Sequence, residues 1–149
     1  NDPYCQKKGN ETMKPTGHNP IRGLCKQNGC YLTKCHPKIE EFAGCFPGKT
    51  AMSDIDGVIE INGYFMFMEW KGDGGRLHLG QEILLQQLTR VSDKIVAYVL
   101  YGNSATMEVQ MMTRIYGGRS ETYRVSLEQV KDLFRKWTRM ATNDFERRQ

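Results

Sequence analysis

Long hydrophobic runs are missing from this chain. Nowhere do apolar residues approach the roughly 20 in succession that a membrane-spanning helix requires, so no membrane partner is expected. The opening residues, Asn1-Asp2-Pro3-Tyr4-Cys5, are polar and lack the apolar stretch of a secretory signal. Internal repeats and low-complexity tracts are absent, which leaves an ordinary globular sequence. A phosphate-binding glycine loop is also missing: Gly72 to Gly75 is not followed by the Lys-Ser or Lys-Thr that such a loop carries into its helix. There is no excess of acid either. The net charge of +4 fits a nucleic-acid partner without establishing one.

The 149 residues, 39% hydrophobic and 26% charged, suit one domain spanning 1–149 around a single core. Up to about Lys34 the chain is rich in Gly, Asn, Lys and Pro without a sustained apolar period. Residues 1–36 are therefore expected as an irregular, Cys-rich extension and 37–149 as the folded core. Pro37 predicts a short helix ending near Gly44. Met52 to Ile61 and Tyr64 to Lys71 alternate with period two around Asn62-Gly63, whose residues both tolerate positive φ and so predict a two-residue hairpin. Leu79 to Val91 has helical spacing, with Ile83, Leu84, Leu88 and Val91 on its expected buried side. Lys94 to Tyr101 reads as a buried strand, and Thr106 to Tyr116 and Glu121 to Val125 as further strands. Ser126 and Gln129 form a capping box that opens the last helix. The order predicts an α/β fold with a mixed central sheet flanked by helices.

Four of the five cysteines crowd into the segment Cys25-x4-Cys30-x4-Cys35-His36…Cys45. Tetrahedral zinc needs four such ligands, and a structural site would staple a region without a core. Cys25, Cys30, Cys35 and Cys45 are the candidate zinc set, with His18 or His36 as substitutes. Free thiols and disulfides are the alternatives. The rest of the chain has enough apolar material to fold without staples, so a cytoplasmic location is expected.

Pairing across the two-residue turn fixes neighbours. Ile61 faces Tyr64, Val58 faces Phe67, Asp56 faces Glu69 and Asp54 faces Lys71, with Ile55, Ile59, Ile61, Met66, Met68 and Trp70 on the opposite, core face. Opposed carboxylates repel, and a divalent cation turns that liability into a site. Mg²⁺ or Mn²⁺ held by Asp56 and Glu69 could activate water at a phosphorus centre, with Lys71 beside it.

Asp56 followed by Glu69-Trp70-Lys71 on the second hairpin strand resembles the signature of the PD-(D/E)XK nuclease superfamily. The resemblance covers roughly Lys38 to Tyr101. It implies a restriction-endonuclease-like core and a Mg²⁺- or Mn²⁺-dependent nuclease of the compact phage-type or resolvase-like kind, hydrolysing phosphodiester bonds, in DNA sooner than RNA. It assigns Asp56 and Glu69 to the ion, Lys71 to the attacking water, and Gln81 to a place beside the site. A further glutamate from the preceding helix, Glu40 or Glu41, is left open. The leading Pro-Asp is absent, as Ser53-Asp54 and Ile55-Asp56 stand in its place, which keeps Asp54 as the alternative ligand.

Lys131, Arg135, Lys136 and Arg139 on the last helix, with Arg147 and Arg148 beyond, are candidate phosphate contacts. A domain of this size covers little duplex, so a two-strand substrate would call for a homodimer. Two other classes compete: a catalytically silent protein that keeps the fold and binds nucleic acid or a protein, and a secreted, disulfide-stapled protein.

Overall fold

A computed structural model describes residues 39–146 of the chain, which divides into two compact units, Asn1–Met52 and Ser53–Gln149. In the first unit, the short helix expected after Pro37 is a 3-10 helix over Ile39–Cys45. This tighter winding closes its hydrogen bonds one residue sooner and serves in short connectors, and seven residues is long for it.

The second unit is built on strands β1 (Gly57–Ile61), β2 (Tyr64–Lys71), β3 (Ile95–Asn103), β4 (Glu108–Tyr116) and β5 (Arg119–Arg124), with helices α1 (Leu79–Val91) and α2 (Leu127–Glu146). The strands form one sheet in the order β1-β2-β3-β4-β5. β2 and β3 are parallel, joined through α1, and the other neighbours are antiparallel. The class is therefore α/β with a mixed sheet, as the pattern predicts. No helix among the described residues is long and apolar enough to cross a membrane.

The hairpin register is the one Asn62-Gly63 dictates, from Ile61↔Tyr64 to Gly57↔Met68 without a bulge. Both turn residues hold positive φ, 52° and 81°, and the Glu60 carboxylate accepts the Gly63 N–H at 2.6 Å. Each face of the sheet has its own core. On one, Met66, Tyr98, Leu100 and Met112 pack under Val130 and Trp137 of α2. On the other, Ala97, Val99 and Ile115 pack under Leu85 of α1. The capping box forms, with Ser126 N–H donating to Gln129 Oε1 at 2.8 Å and Gln129 N–H to Ser126 Oγ at 3.3 Å.

Two expectations need correction. The first strand begins at Gly57, not Met52. It is also an edge strand, so Ile59, assigned to the core, is half exposed and Val58 more so. In α1 the buried residues are Leu85 and Thr89, while Ile83, Leu84 and Val91 are exposed. Counting apolar residues misplaced this face because a polar side chain lies on it with its hydrogen bonds met. The Thr89 hydroxyl donates to Gln86 O and accepts from Gly118 N–H, both at 3.1 Å.

Candidate active site

Alternation along β2 sends Glu69 and Lys71 to the α1 face, near the carboxyl end of the parallel β2–β3 pair. Glu69 is one of the few buried polar residues, at 7% exposure. The Lys71 ammonium donates to Glu69 Oε1 at 2.8 Å and to Gln81 Oε1 at 2.8 Å. Gln81 Nε2 donates to the same Glu69 oxygen at 3.0 Å. These three side chains close a ring of hydrogen bonds. The Gln81 amide can take only this orientation in it, since a flip would set oxygen against oxygen and nitrogen against the ammonium.

Gln81 reaches the ring because α1 buries the side that carries Leu85 and Thr89, and Gln81 lies one helical turn before Leu85. Had Ile83 and Leu84 faced the sheet, Gln81 would have pointed elsewhere. The corrected helix face and the ring are thus one fact.

Asp56 stands one residue beyond the ladder. Its Oδ2 accepts the Trp70 N–H at 2.7 Å. Phe65 N–H donates to Lys94 O on the β3 side, so the alternate N–H groups of β2, Trp70 included, face β1. The Asp56 carboxylate thus takes the donor that a longer β1 would have used, which ends the strand and fixes Asp56 beside the Glu69–Trp70 backbone. Asp54 is exposed and, among the described residues, makes no ion pair. Lys71, which Asp54 was expected to face across the hairpin, pairs instead with Glu69 along its own strand.

One oxygen on each carboxylate remains. Among the described residues, no hydrogen bond reaches Glu69 Oε2 or Asp56 Oδ1. Among the described residues no fully buried side-chain N or O lacks a partner, so Glu69 Oε2, which has none, keeps some contact with solvent. Two carboxylate oxygens supplemented by water and phosphate form a donor set that Mg²⁺ accepts. No cluster of three or more His, Cys, Asp or Glu among the described residues could hold a metal ion. Cys45 is a free, exposed thiol. Cys25, Cys30, Cys35, His18 and His36 lie outside the described residues, as do Arg147 and Arg148, and the Glu40 side chain is not described.

A groove of about 480 Å³ adjoins the ring, a feature the sequence pattern did not flag. The register explains its lining. Glu69, Val99, Thr113 and Thr122 form one lateral row on the α1 face, and Lys71, Tyr101 and Met111 form the next. The groove follows these rows across β3, β4 and β5, under the loop Gly74–Leu77. Its floor includes the paired hydroxyls of Thr113 and Thr122, 2.8 Å apart. Arg76 lines it as an exposed cation without an ion pair among the described residues.

The basic residues of α2 lie with the opposite face. Lys131 pairs with Glu128 at 2.7 Å and Arg135 with Asp132 at 2.6 Å, within the helix. Lys136 and Arg139 make no ion pair among the described residues. The structure does not bring these four to the Glu69 ring.

No protein-family model, curated protein or solved structure matches this chain.

Proposed function

We propose that Asp56, Glu69, Lys71 and Gln81 form the active site of a divalent-metal-dependent nuclease with a restriction-endonuclease-like core, as the resemblance to the PD-(D/E)XK superfamily implies. One observation carries the reading. A buried carboxylate is held through one oxygen by an ammonium and an amide, while its other oxygen keeps some contact with solvent near the end of two parallel strands. In open α/β sheets, ligand sites gather at such carboxyl ends.

Hydrolysis forms a P–O bond to a water oxygen and breaks the P–O bond to the leaving sugar oxygen. The water loses a proton and the leaving oxygen gains one. Asp56 and Glu69 would hold Mg²⁺ or Mn²⁺, which lowers the pKa of bound water and offsets charge at phosphorus. Lys71 already donates to Glu69 and Gln81, and the ammonium keeps one N–H to direct at the water or a phosphate oxygen. Gln81 holds both partners and positions Lys71. The groove with Arg76, Thr113 and Thr122 offers a cation and hydroxyls to a phosphodiester backbone.

The deciding assay incubates plasmid, single-stranded and branched DNA, and RNA, with Mg²⁺, Mn²⁺ or EDTA. Wild type should cleave at least one substrate with metal present, while Glu69→Ala and Lys71→Ala should be inactive. Cleavage that persists in both variants or in EDTA would remove the site from consideration. A fold-retaining protein that cleaves none of them would be the non-catalytic binder.

A further inference from the structure

The sheet face opposite the Glu69 ring carries a second groove, between α2 and the outer strands β4 and β5. Two adjoining cavities, of about 260 and 650 Å³, share Tyr98, Arg114, Trp137 and Met140. Arg114 is half buried between Tyr98 on β3 and Glu121 on β5 in the strand register. Its guanidinium lies 5.0 Å from the Tyr116 ring centroid. Among the described residues it makes no ion pair. Glu121, its cross-strand neighbour, instead accepts the Tyr123 hydroxyl proton.

The other cations here follow the same pattern. Lys94 sits 5.1 Å over the Tyr64 ring in the smaller cavity. Lys136 and Arg124 line the larger one, and none of the three makes an ion pair among the described residues. Lys131 and Arg135 on the same helix are neutralised by Glu128 and Asp132. Four cations without a carboxylate partner among the described residues thus meet at the groove, where Asp93, Glu121 and Asp144, which accepts from the Tyr64 hydroxyl, are the nearby acids.

Guanidinium donors without a carboxylate suit a phosphate, which they can grip with two parallel hydrogen bonds. Tyr116 and Tyr123 are 40% and 44% exposed beside these cations, and an exposed ring next to a backbone-tracking cation is a platform for an unstacked base. A duplex keeps its bases stacked inside, and a peptide of Asp and Glu has no aromatic base face to stack on the rings. We infer that the groove between α2 and β4–β5 binds single-stranded nucleic acid, with Arg114 and Lys136 on phosphates and Tyr116 and Tyr123 against bases.

The test measures fluorescence anisotropy of labelled dT and rU oligomers with the full chain in EDTA, so the outcome does not depend on cleavage. Wild type should bind in the micromolar range with a marked salt dependence. Arg114→Gln should weaken binding about tenfold and reduce the slope of log K against log salt by about one. Lys136→Ala and Tyr116→Ala should each weaken binding, while the Lys131→Ala/Arg135→Ala double variant should not. Circular dichroism checks each fold, and Lys136→Ala and Tyr116→Ala, at exposed positions, decide the matter if Arg114→Gln does not fold. Unchanged affinity in the folded groove variants would overturn the inference. So would equal competition by duplex DNA or by polyglutamate of matched charge.

Discussion

Gln81, in the first turn of α1, donates to the same oxygen of Glu69 that Lys71 engages from two residues along β2. A helix and a strand therefore share one carboxylate oxygen. Gln81→Leu should leave Lys71 with one partner of its two and lower kcat of the proposed nuclease by about tenfold to a hundredfold, the range for losing a partner that orients a site residue. Lys71→Met should cost both activity and stability. Removing one member of a buried pair costs about 3–5 kcal/mol, a figure to reduce here because Gln81 still donates to Glu69. Single-turnover kinetics and urea unfolding on the two variants separate these effects. Equal activity in Gln81→Leu would mean that the amide is structural only.

The proposed metal binding has a readout that needs no substrate. A ligand that binds only the folded state at a hundred times its Kd adds about 2.7 kcal/mol of stability. The thermal midpoint of wild type should rise with Mg²⁺ or Mn²⁺, while those of Glu69→Gln and Asp56→Asn should respond weakly or not at all. Identical shifts in all three proteins would place the ion elsewhere.

Gly102 sits where the β3–β4 register shifts. Its φ is +159°, and a Cβ there would lie 1.9 Å from Glu108 O. Backbone cannot swing aside as a long side chain can, so Gly102→Ala should destabilise by about 1–3 kcal/mol or more. Gly102 O also accepts the Trp70 indole N–H at 3.2 Å, so the distortion should reach β2. Chemical denaturation measures the cost, and a change under about 0.5 kcal/mol, the scale of a neutral surface substitution, would contradict the clash.

Burial pushes the Tyr98 hydroxyl above its ordinary value of 10.0, and the Arg114 guanidinium beside it offsets part of the rise. Below the ordinary value both folded and unfolded chains keep the proton. Between the ordinary and raised values only the unfolded chain releases it, so stability falls as pH climbs through that window. Urea midpoints taken across the alkaline range should decline less steeply in Tyr98→Phe than in wild type. Parallel declines would assign the alkaline loss to other groups.

Much of this fold was legible because local rules decided it. The bounds of β2 and α1, Tyr64–Lys71 and Leu79–Val91, coincide with the sequence periodicity, the alternation along β2 places Glu69 and Lys71 on one face, and Asn62-Gly63 set the hairpin register. What stayed hidden depended on partners distant in the chain. The buried side of α1 was set by contact with Ala97, Val99 and Ile115 and by Gly118 meeting the Thr89 hydroxyl, not by the helix's own apolar count. Asp56 was placed opposite Glu69 by simple extension of the ladder, yet its side chain stops that ladder by taking the Trp70 N–H. The Arg114 groove draws on β3, β4, β5 and α2 together, and no local pattern announces it.

The sheet order follows the chain order, each strand lying beside the one made before it. During synthesis every strand after β1 therefore emerges to find its only earlier partner already present. Loops that must close before pairing begins are short, except the one α1 spans, and short loops close with a small entropy cost. Folding should be fast for a sheet protein, because fast folding follows from contacts between near neighbours in sequence. The exception is instructive: the β2–β3 pairing that waits for α1 is also the one that brings Gln81 to Glu69, so the ring is assembled at the slowest junction of an otherwise sequential build.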